Sequence, residues 1–416
     1  MPPLPYVFTK IPNSRLNHTA VSLNAGPQRA WRAPNHPQAS FLTCSALEDL
    51  AAKLKMDPVE FIEKNLGLTA RPETYRAQLK KGAELIEWKK NWKPRGEGRG
   101  HLRRGLGLGV NTWGGAGHAS TARAIINADG TAVMEIGTQD LGVGTRTIIY
   151  QVAAETYGLP MEAVTVRIGD NRYPNSGPSG GSTTVGGVCS AVRKATVNAL
   201  DKLFAAVAPA WDVAPDALEA SAGKIQVKGN PAKSMTWKQA CQKLGTQAIN
   251  ETGANDPRNA LGLNTGGASG IQMADVTVDI ETGRVKLNKL VAVQDCGLIV
   301  NPKMTESQIM GACIMSVCGA LMEERVMDQI TGRVLNADME FYKLAGINDI
   351  GDIVVHLDIT EDHDKRGIIG IGEPPAIAGM AAIANAVANA AGVRVPQVPL
   401  TPRHVLAAIA KNGRNA

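Results

Sequence analysis

Apolar positions first repeat at helical spacing over residues 45–56, where Leu47, Leu50, Ala51 and Leu54 fall at i, i+3, i+4 and i+7 and predict an amphipathic helix. Asp57-Pro58 opens a second helix, because Asp caps well and Pro suits the first helical position. Phe61, Ile62 and Leu66 form its apolar stripe before Gly67 stops it. Residues 71–104 are polar and basic and turn Gly-rich toward their end, the pattern of a connection between domains. Beyond it the period changes to two. Residues 121–126 and 132–136 flank Asn127-Ala128-Asp129-Gly130 and predict a hairpin. A helix over 147–157, a short strand over 164–168 and a helix over 190–207 follow. In a second hairpin Val276, Val278 and Ile280 alternate, Glu281-Thr282-Gly283-Arg284 turns, and Val285, Leu287, Leu290 and Val293 return. The last long helices are expected over 305–324 and 376–391, the latter ended by Gly392. Strand hairpins packed with separate long helices indicate an α+β fold rather than a regular βαβ succession.

Composition narrows this picture. The 416 residues are 44% hydrophobic and 20% charged, which fits a globular chain of more than one domain and excludes a disordered or small disulfide-stapled class. The Ala-rich stretch 376–391 is interrupted by Asn385 and Asn389, so no apolar run reaches the ~18 residues of a spanning helix. Met1-Pro2-Pro3-Leu4-Pro5 has neither a basic start nor an apolar core, so no signal peptide is expected and a cytoplasmic location is. The six cysteines form no CxxC pair and have no His cluster at zinc-ligand spacing. The chain is therefore expected to carry no iron–sulfur cluster and no metal-ligating side chains of its own. Net charge is +6, and residues 71–104 hold eleven Lys/Arg against four Glu. Tyr75, Trp88 and Trp92 are the only stacking candidates there and no nucleic-acid motif surrounds them, so the segment reads as a solvated linker or partner surface rather than a nucleic-acid site.

Glycine, 44 residues, is enriched over the usual ~7% and gathers in four loops between expected strands and helices. These are Gly137-Thr138-Gln139-Asp140-Leu141-Gly142-Val143-Gly144-Thr145, Ser179-Gly180-Gly181-Ser182-Thr183-Thr184, Asp295-Cys296-Gly297 and Gly370-Ile371-Gly372-Glu373-Pro374-Pro375. Backbone N–H groups in such loops suit anions, and each loop alone is equally well a tight turn. None is a P-loop, and no GxGxxG sits in a βαβ unit.

Taken together and in order, these segments resemble one family. GTQDLGVGTRT, SGGSTT, QDCGLIVNP, SQIMGA and IGIGEPPAIAGMAAIANAV look like the molybdopterin-binding large subunit of the xanthine dehydrogenase/aldehyde oxidase type. NAGPQRAWRAPNHPQASF followed by LAAKLKMDPVEFIEKNL resembles that family's Arg-containing active-site loop and its next helices. The wording of SGGSTT and MEFYKLAGI is nearest to bacterial aldehyde- or isoquinoline-oxidising members. The resemblance runs from about residue 5 to 409. It implies molybdenum-dependent hydroxylation of an aldehyde or N-heterocycle with water as oxygen source. It also implies a molybdopterin cofactor, in its simple or cytosine dinucleotide form, with electrons leaving through a [2Fe-2S] subunit and an FAD subunit or other acceptor.

By motif, the resemblance makes Glu373 the catalytic base and puts Arg32 on the loop facing the metal. Gly142, Val143, Gly144, Ser179, Gly180, Gly181 and Ser182 would hold the cofactor through amides and hydroxyls, Gln308 through its side-chain amide, and Gly370 and Gly372 would lie beside it. On this reading residues 1–70 are the end of a first molybdopterin-binding domain, 71–104 the basic linker and 105–416 a second such domain. Departures are informative. Asn35 stands where relatives usually have Gly after RAP, Val143 where xanthine-type members have Gln, Ser316-Val317 in place of QG, and Cys44 in place of an acid. The family's GGxFG loop does not occur in this sequence, and the resemblance leaves open whether a separate N-terminal piece of the subunit supplies it. Two other readings stay open: a non-catalytic fragment or assembly component retaining the fold without cofactor, and a generic phosphate-ligand binding protein.

Overall fold

The computed structural model describes residues 2–24, 26, 29–259, 267–359 and 363–413. Residues 25, 27 and 28 of the NAGPQRAWRAP segment lie outside them. The N-terminal portion is helical: α1 (His36–Lys53), α2 (Pro58–Lys64), α3 (Pro72–Leu85) and α4 (Trp88–Asn91). Then come β1 (Leu102–Trp113), β2 (Ser120–Ile126), β3 (Ala132–Ile136), α5 (Thr145–Tyr157), β4 (Val164–Ile168) and α6 (Thr184–Val207). A small meander β5 (Leu218–Ser221), β6 (Lys224–Val227) and β7 (Asn230–Thr236) leads to α7 (Trp237–Gln242) and β8 (Ile249–Asn255). The chain continues through β9 (Ala268–Asp279), β10 (Val285–Gln294), α8 (Pro302–Leu321), β11 (Asp352–Leu357), α9 (Gly379–Ala391) and α10 (Pro402–Gly413). Among the described residues no helix is long and apolar enough to cross a membrane.

Two four-stranded sheets, ordered β1-β9-β10-β11 and β4-β3-β2-β8, carry the fold. Most pairs are antiparallel, as the two hairpins lead one to expect. The pairs β3/β4 and β10/β11 are parallel, and each crosses over through one helix, α5 and α8 respectively. Parallel pairing needs such a crossover, and it leaves the loop after β3 and the loop after β10 to feed two helix N-termini.

The packing of α9 fixes where the GEPP loop lies. Along β1, Gly105, Gly107 and Gly109 share one face, and a Cβ on Gly107 would sit 2.1 Å from the backbone N of Ala386. The alternation thus brings the Ala-rich α9 against the strand at backbone distance. Leu106, Leu108 and Val110 point to the other face and join Tyr75, Leu79, Ile86 and Trp88 in a buried cluster. Asn385 and Asn389 serve this close approach as well: Asn385 donates to the Leu108 carbonyl at 2.8 Å, and the Asn389 side-chain oxygen accepts from Leu106 N–H at 3.1 Å.

Two expectations are corrected. Residues 71–104 are not a solvated connection over most of their length. Tyr75, Gln78, Leu79 and Gly82 form the buried face of α3, and Trp88 is 2% exposed, its indole N–H donating to both Asp57 carboxylate oxygens at 3.0 and 3.1 Å. The basic residues lie on the outer face of the same helices, so charge counting masks a helical stripe. Helix α1 also begins nine residues before the expected start, and its buried face is Ala39, Ser40, Thr43, Cys44, Glu48 and Ala51, while Leu50 and Leu54 are about half exposed. Small residues pack here because α1 lies on the Ala-rich α9 and on β1, where larger side chains do not fit.

Candidate functional site

All four glycine loops meet. A cavity of about 590 Å³ is lined by Gly142, Val143 and Thr145 after β3, by residues 179–182 before α6, by Cys296 and residues 298–301 after β10, and by residues 368–373 before α9. The first two turns of α8 add Met304, Thr305 and Gln308, and Arg32 comes from the segment before α1. Of the expected site residues, Arg32, Gly142, Val143, Ser179, Gly180, Gly181, Ser182, Gln308, Gly370, Gly372 and Glu373 therefore line one space. Gly144 sits just behind it, where a Cβ would fall 1.4 Å from the Met304 methyl carbon, so its smallness lets α8 approach α5.

Among the described residues the lining holds two charged residues, Arg32 and Glu373. Glu373 heads a short 3₁₀ turn, Pro374–Ala376, and its carboxylate makes no capping bond to that turn. The reason lies in the sequence and the turn: Pro374 and Pro375 have no N–H, and the Ala376 N–H is taken by the Glu373 carbonyl at 3.0 Å, so no nearby donor is left for the side chain. Distant donors take their place. Oε1 accepts the Ala33 N–H at 3.2 Å and Oε2 accepts the Ser182 hydroxyl at 3.3 Å. Ala33 and Ser182 are both non-glycine residues in the left-handed region, at φ 60° and 58°. Asn35 is as well, at φ 67°, so the position where relatives have Gly keeps the left-handed conformation with a residue type that tolerates it.

The Arg32 guanidinium does not reach Glu373 directly. It donates to the Gly372 carbonyl, to the Gln308 carbonyl at 3.1 Å and to the Gln308 side-chain oxygen at 3.4 Å, with Met315 sulfur 3.8 Å away. Burial lowers it from its ordinary value against the opposing pull of Cys313 and Glu373. Arg32 thus ties the RAP segment to the GEPP loop and to α8. With Gln308 oxygen accepting from Arg32, its amide NH₂ is the group left to donate.

The loop after β3 departs from expectation. The Asp140 carboxylate accepts the N–H groups of Gly142 at 2.9 Å, Gly144 at 3.1 Å and Arg146 at 3.0 Å, closing the N-terminus of α5 internally. Burial pushes the Asp140 carboxyl up, yet these donors outweigh it and hold it below its ordinary value. Gly142 and Gly144 consequently supply wall rather than donors. The loop before α6 is different: among the described residues the N–H groups of Gly180 and Gly181 donate to no protein acceptor, and a Cβ on Gly180 would meet nothing within 4 Å. Sequence reasoning did not single out Asp140 or the Ala33 N–H. An Asp five residues before a helix start is a recognisable capping signal, whereas a backbone donor leaves no trace in residue types.

Residues 78–351 match the molybdopterin cofactor-binding domain family, and residues 5–66 match a second domain of the same description. The chain belongs to the molybdopterin cofactor-binding domain family. It is 30% identical over 411 residues to the xanthine dehydrogenase molybdenum-binding subunit of Escherichia coli O157:H7, across 92% of this chain and 53% of that protein. It is 32% identical over 404 residues to the aldehyde oxidoreductase molybdenum-binding subunit PaoC of Escherichia coli K12, with the same coverage. In fold it resembles quinoline 2-oxidoreductase from Pseudomonas putida 86 at a TM-score of 0.82 and 21% identity, covering 92% of this chain and 53% of that one. The chain spans about half the length of the curated relatives it matches.

The residues present suit a molybdopterin. The cavity lies within the ~300–1,000 Å³ usual for cofactor sites, offers unclaimed N–H donors at Gly180 and Gly181 and an amide at Gln308, and ends in one fixed carboxylate.

Proposed function

We propose that this chain is the cofactor-holding portion of a molybdenum hydroxylase that oxidises an aldehyde or an aromatic N-heterocycle. Water supplies the oxygen atom, and two electrons pass to a [2Fe-2S] subunit and on to an FAD subunit or other acceptor. The observation that carries the reading is the seating of Glu373: among the described residues the one carboxylate in the lining of the glycine-rich cavity, left without a nearby backbone donor in its own turn and held by Ala33 and Ser182.

Molybdopterin, when bound, supplies the two-electron redox chemistry. The chain's own residues do the rest. Gly180 and Gly181 N–H groups and the Gln308 amide would hold the cofactor's polar edge, and the glycine at 142 leaves room for it. Arg32 keeps the RAP segment, α8 and the GEPP loop in register, so that the carboxylate faces the reacting carbon. Glu373 takes up the proton of the water-derived nucleophile, and each of its oxygens has a lone pair beyond the one engaged by its donor. On the same reading the chain comprises the end of a first molybdopterin-binding domain and a second one, completed by a further piece of the subunit.

The test uses the assembled enzyme and isoquinoline as probe. Turnover in ¹⁸O-labelled water is expected to put the label into the hydroxylated product, with none arriving from labelled dioxygen. Label entering from dioxygen instead would contradict a hydroxylase of this class.

A further inference from the structure

The geometry points to Ser182 as the residue that positions Glu373, rather than as a cofactor ligand. This rests on the reading of Glu373 as the base. The Ser182 hydroxyl makes two contacts with one residue: it accepts the Glu373 backbone N–H at 2.8 Å and donates to Oε2 at 3.3 Å. One hydroxyl thereby fixes both ends of the glutamate, and a hydroxyl has the single donor and two acceptor positions this requires. Because Pro374 and Pro375 offer no N–H, and among the described residues the only other hydrogen bond to the carboxylate comes from the Ala33 amide, losing Ser182 would take away the described partner of Oε2.

The backbone adds an independent observation. Ser182 sits at φ 58°, where glycine is at ease and serine is not, although the two residues before it are glycines. A side chain kept at a strained position is a reason to look for what the side chain does. The GEPP loop is moulded onto this residue. A Cβ on Gly370 would lie 1.8 Å from the Ser182 carbonyl oxygen, and one on Gly372 would lie 3.3 Å from the Ser182 hydroxyl oxygen. The glycines at 370 and 372 thus serve the approach of the two loops.

Ser182→Gly separates positioning from backbone strain, because glycine adopts this φ without strain while the hydroxymethyl group, and with it both contacts to Glu373, is lost. In the holoenzyme, Ser182→Gly should melt no lower than wild type and keep its KM, while kcat falls roughly 10-fold or more, the low end of what supporting hydrogen-bond partners contribute. Ser182→Ala should lose kcat equally. The second readout needs no turnover: the Glu373 carboxylate stretching band, isolated by infrared difference against Glu373→Gln, should move in Ser182→Gly. Wild-type kcat in Ser182→Gly, or a lowered kcat with an unmoved carboxylate band, would overturn the assignment. If instead the band moves but Glu373→Gln keeps wild-type kcat, the positioning contact stands and the base reading is the one that fails.

Discussion

Glu373→Gln is expected to lower turnover of the assembled enzyme at least ~100-fold, the lower end of a general-base contribution, with cofactor content unchanged. The substitution keeps shape and removes the ability to take a proton. The structure also says why the loop should tolerate it. The new amide oxygen can accept the Ala33 N–H, and the amide NH₂ can donate to the Ser182 oxygen, which has a lone pair left after accepting the residue 373 N–H. Glu162→Gln is the control, an exposed carboxylate before β4 that lies outside the cavity lining and should leave turnover as it is. Wild-type kcat in Glu373→Gln at normal molybdenum loading would remove Glu373 from the chemistry.

Trp88→Ala should destabilise the chain by ~3–5 kcal/mol, the range for deleting a large buried aromatic. Trp88 is almost fully buried, stacks near Trp92 with ring centroids 6.5 Å apart, and joins α4 to the Asp57 cap of α2. The change opens a cavity under β1 and also strips the half-buried Asp57 carboxylate of a donor. By contrast, changing the exposed Lys89, Lys90 and Lys93 together to Gln should alter stability by less than ~0.5 kcal/mol. Denaturant unfolding of these variants side by side distinguishes a packed helical element from a linker: equal, small effects would mean that residues 72–91 do not belong to the core.

The contrast between these residues explains what the sequence could and could not reveal. The turns of the two hairpins and the strand ends beside them are legible to within a residue or two, because period and turn chemistry agree, whereas β9 begins eight residues before the expected Val276. The convergence of the four glycine loops was legible only through their joint order, since each by itself is an ordinary turn. The α1 stripe was misread in phase. Its buried face is built from alanine, serine and threonine against an alanine helix, so leucine positions mark the wrong side. In residues 71–104 eleven basic side chains hide the buried Tyr75 and Leu79 of α3, Ile86 at its end and Trp88 of α4. In the site, Glu373 was found by its motif, but its donors were not, since one is a backbone amide of Ala33 and the other comes from a loop 191 residues away in the chain. Contacts of that kind exist only once α9 has settled on the glycine face of β1.

Metal and pterin analysis of the chain purified from its native host, with whatever subunits accompany it, tests whether the glycine-lined cavity holds a molybdopterin. The expected result is stoichiometric molybdenum and stoichiometric pterin, retained in Glu373→Gln and lost when Gly180 is replaced by a bulky residue that fills the open space at its Cα. A folded, assembled chain containing neither would contradict it, and would leave the fold as that of a non-catalytic component.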